Sequence, residues 1–316
     1  MLKIFFVVTH IFLLALADYA VAADCPPALA QPTPELVESG MRNARNHGFL
    51  WRISKDGRTS YLYGTIHVAK FEWMFPGPQV MQAIRETDTI ALEMDMLDTD
   101  IQADMARRIA VMQKVDLPAP LVKRMRQQAE VFCVPYDSIA KLTPEFQVVT
   151  LTMMVGRKAG LEAGYAIDSV LAGIGHKANK QMVSLETPAL QLGVLQMHNA
   201  RETLAFVEDS LDELEQNRSQ VMLENIAKAW ANADYTTMEN FSEWCECLNT
   251  ETEREVMKRA LDERNPALVE HIDDLHKAGG KVFAAVGSLH MFGPIGLPKL
   301  MEKHGYRVEQ VVFRPD

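Results

Sequence analysis

The fold is decided by residues 50–67, which read LWRISKDGRTSYLYGTIH. Two runs with strand-like alternation flank the Asp-Gly pair at 56–57, which tolerates positive φ and forms tight hairpin turns. The second run breaks at Gly64 and places His67 three residues later. We therefore predict a β-hairpin whose second strand ends in a histidine at the edge of a sheet.

Helix-like and strand-like patterns alternate along the rest of the chain. The helix-like segments are QVMQAIRET (79–87), DSVLAGIGHKANK (168–180), NPALVEHIDDLHKAGG (265–280) and GLPKLMEKHG (296–305). The strand-like segments are TIALEMD (89–95), QMVSLET (181–187), KVFAAVGSLH (281–290) and YRVEQVVF (306–313). This alternation predicts an α/β fold with a mostly parallel central sheet and flanking helices. Direct parallel pairing of the hairpin's second strand with the strand at 89–95 is the default expectation.

Two long stretches, near 98–160 and 193–260, carry helical spacing and no strand signal. We predict that they are helical insertions packed together as a cap beside the sheet. Both belong to a single α/β domain that spans residues 24–316. Most of the 18 methionines are expected to fill apolar cores.

The first residues have the order of a secretory signal. Lys3 precedes an apolar run from Ile4 to Ala17, and the small-residue stretch YAVAAD follows at 19–24. This order predicts a signal peptide over 1–23 and a periplasmic or secreted protein. The apolar run is shorter than the roughly 20 residues that span a bilayer. We expect no stable membrane span after cleavage, with an uncleaved anchor as the alternative.

The net charge bears on the possible binding partners, and the cysteine content bears on disulfides and zinc sites. The net charge of −10 argues against nucleic acid as a partner, because phosphate binding depends on Lys and Arg. The four cysteines of an exported chain predict structural disulfides, with three pairings open. The Cys-Glu-Cys spacing at 245–247 is too short and isolated for a zinc site. The oligomeric state is left open.

Titratable residues end four of the predicted strands. They are His67, Glu93 (with Asp95 close behind), Glu186 and His290. Ligands gather at the carboxyl ends of parallel strands, so these side chains are expected at one edge. Imidazole and carboxylate bind zinc, iron or manganese, and three protein ligands leave positions open for water or substrate. Structural hydrogen bonding, caps and salt bridges are the alternative roles.

Glycines and one arginine add to this pattern. Gly64 and Gly287 each stand three residues before a histidine, where glycine lets the chain turn sharply or approach another backbone. Arg264 lies near a predicted helix start, where the helix dipole disfavours a cation. It is therefore a candidate for clamping a carboxylate or stabilising an oxyanion, with surface pairing as the alternative.

The remaining histidines suggest no function. His271 and His276 are interpreted as surface residues, and His176 and His198 have no obvious partner. The sequence contains no G-x-S-x-G, P-loop, G-x-G-x-x-G after a strand or H-E-x-x-H. A serine hydrolase and a nucleotide-binding enzyme are therefore disfavoured.

Six segments together resemble the TraB/GumN family of secreted bacterial proteins. They are YLYGTIHVAK, ALEMD, GYAIDSVL, SLETPALQLGVLQ, ERNPALVEHI and VGSLHMFGPIGLPKLMEKHGYRVEQV. That family is related to the Tiki metalloproteases and more remotely to the erythromycin-esterase and ChaN-like proteins. The likeness runs from about Leu50 to Val312 in the expected order.

The resemblance implies a site built on the two G-x-x-H motifs. His67 and His290 would be metal ligands, and Glu93 would be the third ligand or the general base. Glu186 and Arg264 would be supporting catalytic residues.

Three functions follow as hypotheses. The first is a metal-dependent hydrolase, peptidase-like, that uses Mn²⁺, Co²⁺ or Zn²⁺ and acts on a peptide or another small substrate. The second is a metal-free, esterase-like hydrolase with a histidine base. The third is a non-catalytic protein that binds haem, a peptide or a saccharide in the same cleft.

Overall fold

A computed structural model describes residues 25–26 and 32–314 of the chain. In this part of the chain the strands are β1 Phe49–Lys55, β2 Arg58–Thr65, β3 Thr89–Leu92, β4 Gln181–Ser184, β5 Val282–Gly287 and β6 Arg307–Gln310. They form one mixed sheet in the order β4-β3-β5-β2-β1-β6. The predicted α/β fold is confirmed.

Helices flank the sheet and fill both predicted insertions. In chain order the α-helices are α1 Pro34–Arg42, α2 Pro78–Arg85, α3 Thr99–Val111, α4 Ala119–Val131, α5 Tyr136–Ile139, α6 Pro144–Met154, α7 Ile167–Lys177, α8 Pro188–Leu195, α9 Ala200–Glu215, α10 Arg218–Ala231, α11 Tyr235–Glu239, α12 Phe241–Trp244, α13 Glu251–Met257, α14 Asn265–Lys277 and α15 Leu297–Lys303. A π-helical turn, Lys258–Asp262, continues α13 toward α14. Short 3₁₀ turns cover Phe71–Met74, Arg157–Ala159, Ala163–Tyr165 and Ser288–Met291.

The predicted hairpin is confirmed. β1 and β2 pair antiparallel from Phe49 opposite Gly64 to Lys55 opposite Arg58. The turn between them has φ of 52° at Asp56 and 74° at Gly57. Positive φ at both central residues is what a tight two-residue hairpin requires, so the Asp-Gly pair sets the register.

The order of the strands differs from the default expectation. β5 lies between β2 and β3 and is parallel to both, so β2 and β3 do not pair directly. β4 pairs parallel with β3, whereas β1 pairs antiparallel with β2 and β6. The sequence of β5 is entirely apolar and the strand is buried on both faces. A central position between two other strands provides this burial.

Two of the three apolar clusters in residues 25–26 and 32–314 bear on the predicted architecture. The larger one surrounds the sheet and includes Leu62, Ile90 and Phe283, which are all fully buried. The smaller one joins helices of the two insertions through residues such as Met125 and Leu211. The predicted packing of the insertions against each other is therefore confirmed.

Two histidines have roles that the sequence did not indicate. His276 is fully buried, so its interpretation as a surface residue is wrong. Its Nε2 lies 3.0 Å from the Lys55 carbonyl oxygen and its Nδ1 lies 2.9 Å from Ser60 Oγ, which ties α14 to the hairpin. His176 pairs through Nε2 with Asp95 at 2.7 Å.

Disulfides pair all four cysteines. One joins Cys25 to Cys133 and the other joins Cys245 to Cys247. The predicted signal peptide, 1–23, lies outside the described residues. Among the helices of residues 25–26 and 32–314, none combines the length and apolar character that a membrane crossing requires.

Candidate functional site

The carboxyl ends of four strands meet at one edge of the sheet. Thr65 of β2 is in register with Gly287 of β5. Leu92 of β3 is in register with Ala285 of β5 and with Ser184 of β4. β2 and β5 therefore end level with each other, and β3 and β4 end together two residues earlier along β5. The predicted site residues that follow these ends are His67, Glu93, Glu186 and His290.

Glu93 is buried at the centre of this edge. Its Oε1 accepts a hydrogen bond of 2.7 Å from the backbone N–H of Gly287. Its Oε2 accepts from Arg264 Nη2 at 2.5 Å and from Gln191 Nε2 at 2.9 Å. These three donors fix the carboxylate and direct Oε1 toward the end of β5.

His290 is buried and held by an asparagine. Its Nδ1 lies 2.6 Å from Asn265 Oδ1, and Asn265 Nδ2 donates to the Ile295 carbonyl oxygen at 2.9 Å. The second bond fixes the amide orientation, so Oδ1 faces the ring and Nδ1 carries the hydrogen. His290 Nε2 is then an unprotonated nitrogen, 3.9 Å from Glu93 Oε1.

His67 lies at the same edge of the sheet, close to Gly287, and its ring is exposed to solvent. Its side chain is 57% exposed, and its Nδ1 lies 2.9 Å from Asp168 Oδ2. The other carboxylate oxygen of Asp168 accepts from Thr65 Oγ1 at 2.6 Å, which holds the carboxylate at the end of β2. With Nδ1 engaged by Asp168, Nε2 is the ring nitrogen that faces the site.

Gly287 lies among these three side chains. A Cβ added at this position would lie 3.2 Å from Glu93 Oε1, 3.6 Å from His290 Cδ2 and 3.7 Å from His67 Nε2. Gly287 itself has φ of −49°, a value open to any residue. The reason for glycine here is therefore the space it leaves between the three side chains.

Glycine is also required at position 64, because the residue Ser288 approaches the backbone there closely. A Cβ at Gly64 would lie 3.0 Å from Ser288 Oγ and 3.2 Å from Ser288 Cα. The turn that carries His290 thus packs directly against the backbone of β2.

Arg264, whose side chain is 11% exposed, and the buried Glu186 form an ion pair beside Glu93. Arg264 donates from Nε to Glu186 Oε1 at 2.8 Å and from Nη2 to Glu186 Oε2 at 2.5 Å. Gln191 Nε2 also donates to Glu186 Oε2, at 2.6 Å. Both oxygens of Glu186 are occupied, and the guanidinium is engaged by the chain's own two carboxylates.

The electrostatics divide the site into charged and neutral groups. Burial raises the pKa of Glu93, but interactions with His290, His67 and Arg264 outweigh it and hold that pKa well below its usual range. Burial lowers the pKa of His290 to about 4. The Asp168 carboxylate raises the pKa of His67 to about 9, an attraction that water screens at this exposed ring. Glu93 is therefore ionised and His290 neutral at neutral pH.

The donor atoms fit a divalent cation chemically. In residues 25–26 and 32–314, no group of three or more His, Cys, Asp or Glu side chains is assembled closely enough to hold a metal ion. Atoms that share a tetrahedral zinc ion, with bonds of about 2.0–2.2 Å, lie roughly 3.4 Å apart. Glu93 Oε1 and His290 Nε2 lie 3.9 Å apart, and Glu93 Oε1 and the His290 ring both border the space left by Gly287. The ligand set of His67, Glu93 and His290 stays a prediction.

Three residues of the site were not predicted from the sequence. They are Asp168, Gln191 and Asn265, which contact His67, the two glutamates and His290 respectively. Each lies within a segment that carries the family resemblance. Their place in those segments was the available signal, and their contacts depend on how α7, α8 and α14 pack.

Comparisons with known proteins agree with the resemblance. The profile of the TraB/PrgY/gumN family matches residues 49–310. An uncharacterized protein YbaP from Shigella flexneri is 24% identical over 252 residues, which cover 77% of this chain and 88% of that protein. An uncharacterized protein YbaP from Escherichia coli K12 is 23% identical with the same coverage. No solved structure matches the chain.

Proposed function

We propose that this chain, which belongs to the TraB/PrgY/gumN family, is a metal-dependent hydrolase that cleaves peptides. The observation that carries the proposal is the meeting of His67, Glu93 and His290 around the open side of Gly287. Two imidazoles and one carboxylate form a ligand set that leaves positions free for water and substrate.

The proposed ligands are His67 Nε2, His290 Nε2 and Glu93, and the proposed cation is Mn²⁺, Co²⁺ or Zn²⁺. When bound, such a cation supplies Lewis acidity that polarises a carbonyl group and acidifies water. Asp168 and Asn265 accept the Nδ1 hydrogens of the two histidines, which turns each Nε2 toward the site. His67, whose pKa the Asp168 carboxylate raises to about 9, would release its Nε2 proton when a cation binds.

The two glutamates have different hydrogen bonds and therefore different proposed roles. Glu93 Oε1 is bonded to one donor, the Gly287 N–H, and is the carboxylate oxygen that faces the site. Both oxygens of Glu186 accept from Arg264, and one also accepts from Gln191. Oε1 of Glu93 would therefore serve either as the third ligand or as the acceptor of a proton, and we assign Glu186 and Arg264 to holding Glu93 in place.

The peptide substrate and the compartment rest on further arguments. The family resemblance extends to the Tiki metalloproteases, which supports a peptide bond as the target. The two disulfides support an oxidising compartment, in agreement with the proposed signal over 1–23. The proposal is therefore a periplasmic or secreted enzyme.

Elemental analysis and a peptide-cleavage screen test this function. The purified protein should contain or bind a divalent metal, and His67→Ala and His290→Ala should each abolish cleavage. His198→Ala is the matched control, because His198 is exposed and its ring takes part in none of the hydrogen bonds described above for the site. Unchanged cleavage in both site variants would refute the mechanism, and metal binding without turnover would indicate a binding protein.

A metal-free hydrolase is the second candidate, favoured by the His67–Asp168 pair. A histidine oriented by a carboxylate is the usual arrangement of a general base in covalent catalysis. The Asp168 carboxylate raises the pKa of His67 to about 9, so activity through this base should rise as the pH approaches that value. Cleavage that persists after exhaustive chelation would select this mechanism over the first.

A further inference from the structure

The two buried members of the site are held by two consecutive residues. Arg264 donates to Glu93 Oε2, and Asn265 accepts from His290 Nδ1. Arg264 precedes α14, and Asn265 is the first residue of that helix. One junction in the backbone therefore sets the orientation of both Glu93 and His290.

A π-helical turn sets the geometry of this junction. The Glu263 N–H bonds to the Lys258 carbonyl five residues back, and the Arg264 N–H bonds to the Leu261 carbonyl three residues back. In a continuous α-helix the Arg264 N–H would bond to the Ala260 carbonyl. That carbonyl instead accepts from Arg264 Nη1 at 2.7 Å. The turn thus frees a backbone acceptor that anchors the guanidinium.

Asn265, the next residue along the junction, is also held by hydrogen bonds. It is 1% exposed, and its amide bridges the His290 ring and the Ile295 carbonyl. A backbone carbonyl therefore fixes each of the two neighbouring side chains. Neither side chain can turn away without breaking a buried hydrogen bond.

We propose that Arg264 and Asn265, placed by the π-helical turn, act as one positioning unit that presents Glu93 and His290 to the cation. This inference rests on the proposed function, because it concerns the same site. The unit holds the buried half of the ligand set. His67, the exposed half, is held separately by Asp168 from α7. Neither Arg264 nor Asn265 is assigned a contact with substrate.

The test measures the affinity of the full chain for Co²⁺ alone, by calorimetry and visible absorption, after the protein has been stripped with a chelator. Asn265→Ala should weaken Co²⁺ binding about 10–100-fold, the usual effect of losing a partner of a metal ligand. Asn265→Asp keeps an acceptor for His290 Nδ1 and should bind Co²⁺ more tightly than Asn265→Ala. Arg264→Lys should also weaken binding, because lysine lacks the fork that reaches both glutamates.

The double variant tests whether the two residues act together. If they form one unit, Arg264→Lys with Asn265→Ala should lose less affinity than the product of the two single factors. Asn199→Ala is the control, since Asn199 caps α9 through the Glu202 N–H, away from the site. It should lower the melting temperature and leave Co²⁺ affinity unchanged.

The outcomes separate the inference from the proposed function. Absence of Co²⁺ binding by the unaltered chain, together with absence of Mn²⁺ and Zn²⁺ binding in the same assay, would refute the metal-dependent function and the inference with it. Normal Co²⁺ binding by the unaltered chain and equally by Asn265→Ala would overturn only the inference. The inference would also be overturned if the fold-loss of Co²⁺ affinity in the double variant equalled the product of the fold-losses in the two single variants.

Discussion

Replacing Gly287 with alanine should weaken metal binding at least tenfold while leaving the fold intact. The backbone at this position, with φ of −49° and ψ of 137°, is open to alanine. Where the backbone is compatible, a Gly→Ala change stabilises a protein by about 0.4–1 kcal/mol through the unfolded state. The new methyl group, however, would lie 3.2 Å from Glu93 Oε1 and 3.7 Å from His67 Nε2.

Two opposing terms set the expected magnitude of the stability change. Inserting a methyl group into a packed site costs typically 1–3 kcal/mol, which the entropic gain partly offsets. The free energy of unfolding should therefore fall by no more than about 2.6 kcal/mol. The methyl group fills the space between the donors, so Co²⁺ affinity should fall at least tenfold, or about 1.4 kcal/mol.

Urea unfolding and Co²⁺ calorimetry of the same preparations measure the two effects. Gly173→Ala is the matched control, because Gly173 lies inside α7 and a Cβ there meets no atom within 4 Å. It should stabilise the chain by about 0.5–1 kcal/mol and leave Co²⁺ affinity unchanged. Wild-type Co²⁺ affinity in Gly287→Ala would refute the idea that this space is where the cation binds.

Three further predictions concern stability. Gly64→Ala should lower the free energy of unfolding by about 1–3 kcal/mol in urea, because its Cβ would meet the Ser288 backbone at 3.2 Å. Burial and the neighbouring Glu253 raise the pKa of Glu213 to about 7, so the folded state binds more protons than the unfolded state between pH 4.5 and 7. Stability should therefore fall as pH rises through this window, and Glu213→Gln should flatten that fall in urea titrations at several pH values. The Cys25–Cys133 disulfide joins residues that are 108 apart in the sequence. Replacing both cysteines with serine should lower the free energy of unfolding by about 2–4 kcal/mol, measured by thermal melts. A variant that matches the wild-type protein would contradict the corresponding prediction.

The elements of the fold followed from local signals, whereas the order of the strands did not. The Asp-Gly turn, the alternation of β2 and the glycine at the end of α14 are all short-range features of the chain. The place of β5 between β2 and β3 depends on contacts between opposite ends of the sequence. No local pattern distinguishes that arrangement from direct pairing of β2 with β3.

The same limit separates the predicted site residues from the missed ones. His67, Glu93, Glu186 and His290 follow strand ends, and parallel strands bring their ends to one edge whatever their order. Asp168, Gln191 and Asn265 lie on helices, where the direction of a side chain depends on how the helix is rotated against the sheet. The interpretation of His276 as a surface residue is wrong for this reason. The packing of α14 turns the His276 ring toward the hairpin.

The repeated Leu-Glu pair shows why similar motifs need not share a role. Glu93 and Glu186 both follow neighbouring strands, and both accept from Arg264. Glu186 N–H also bonds to the Glu93 carbonyl oxygen at 2.9 Å, so the two residues are neighbours in the backbone. The strand order then separates them, since β3 adjoins β5 and β4 does not. Only Glu93 can reach the Gly287 N–H and the histidines beyond it, and Glu186 is left to complete the pairing of Arg264.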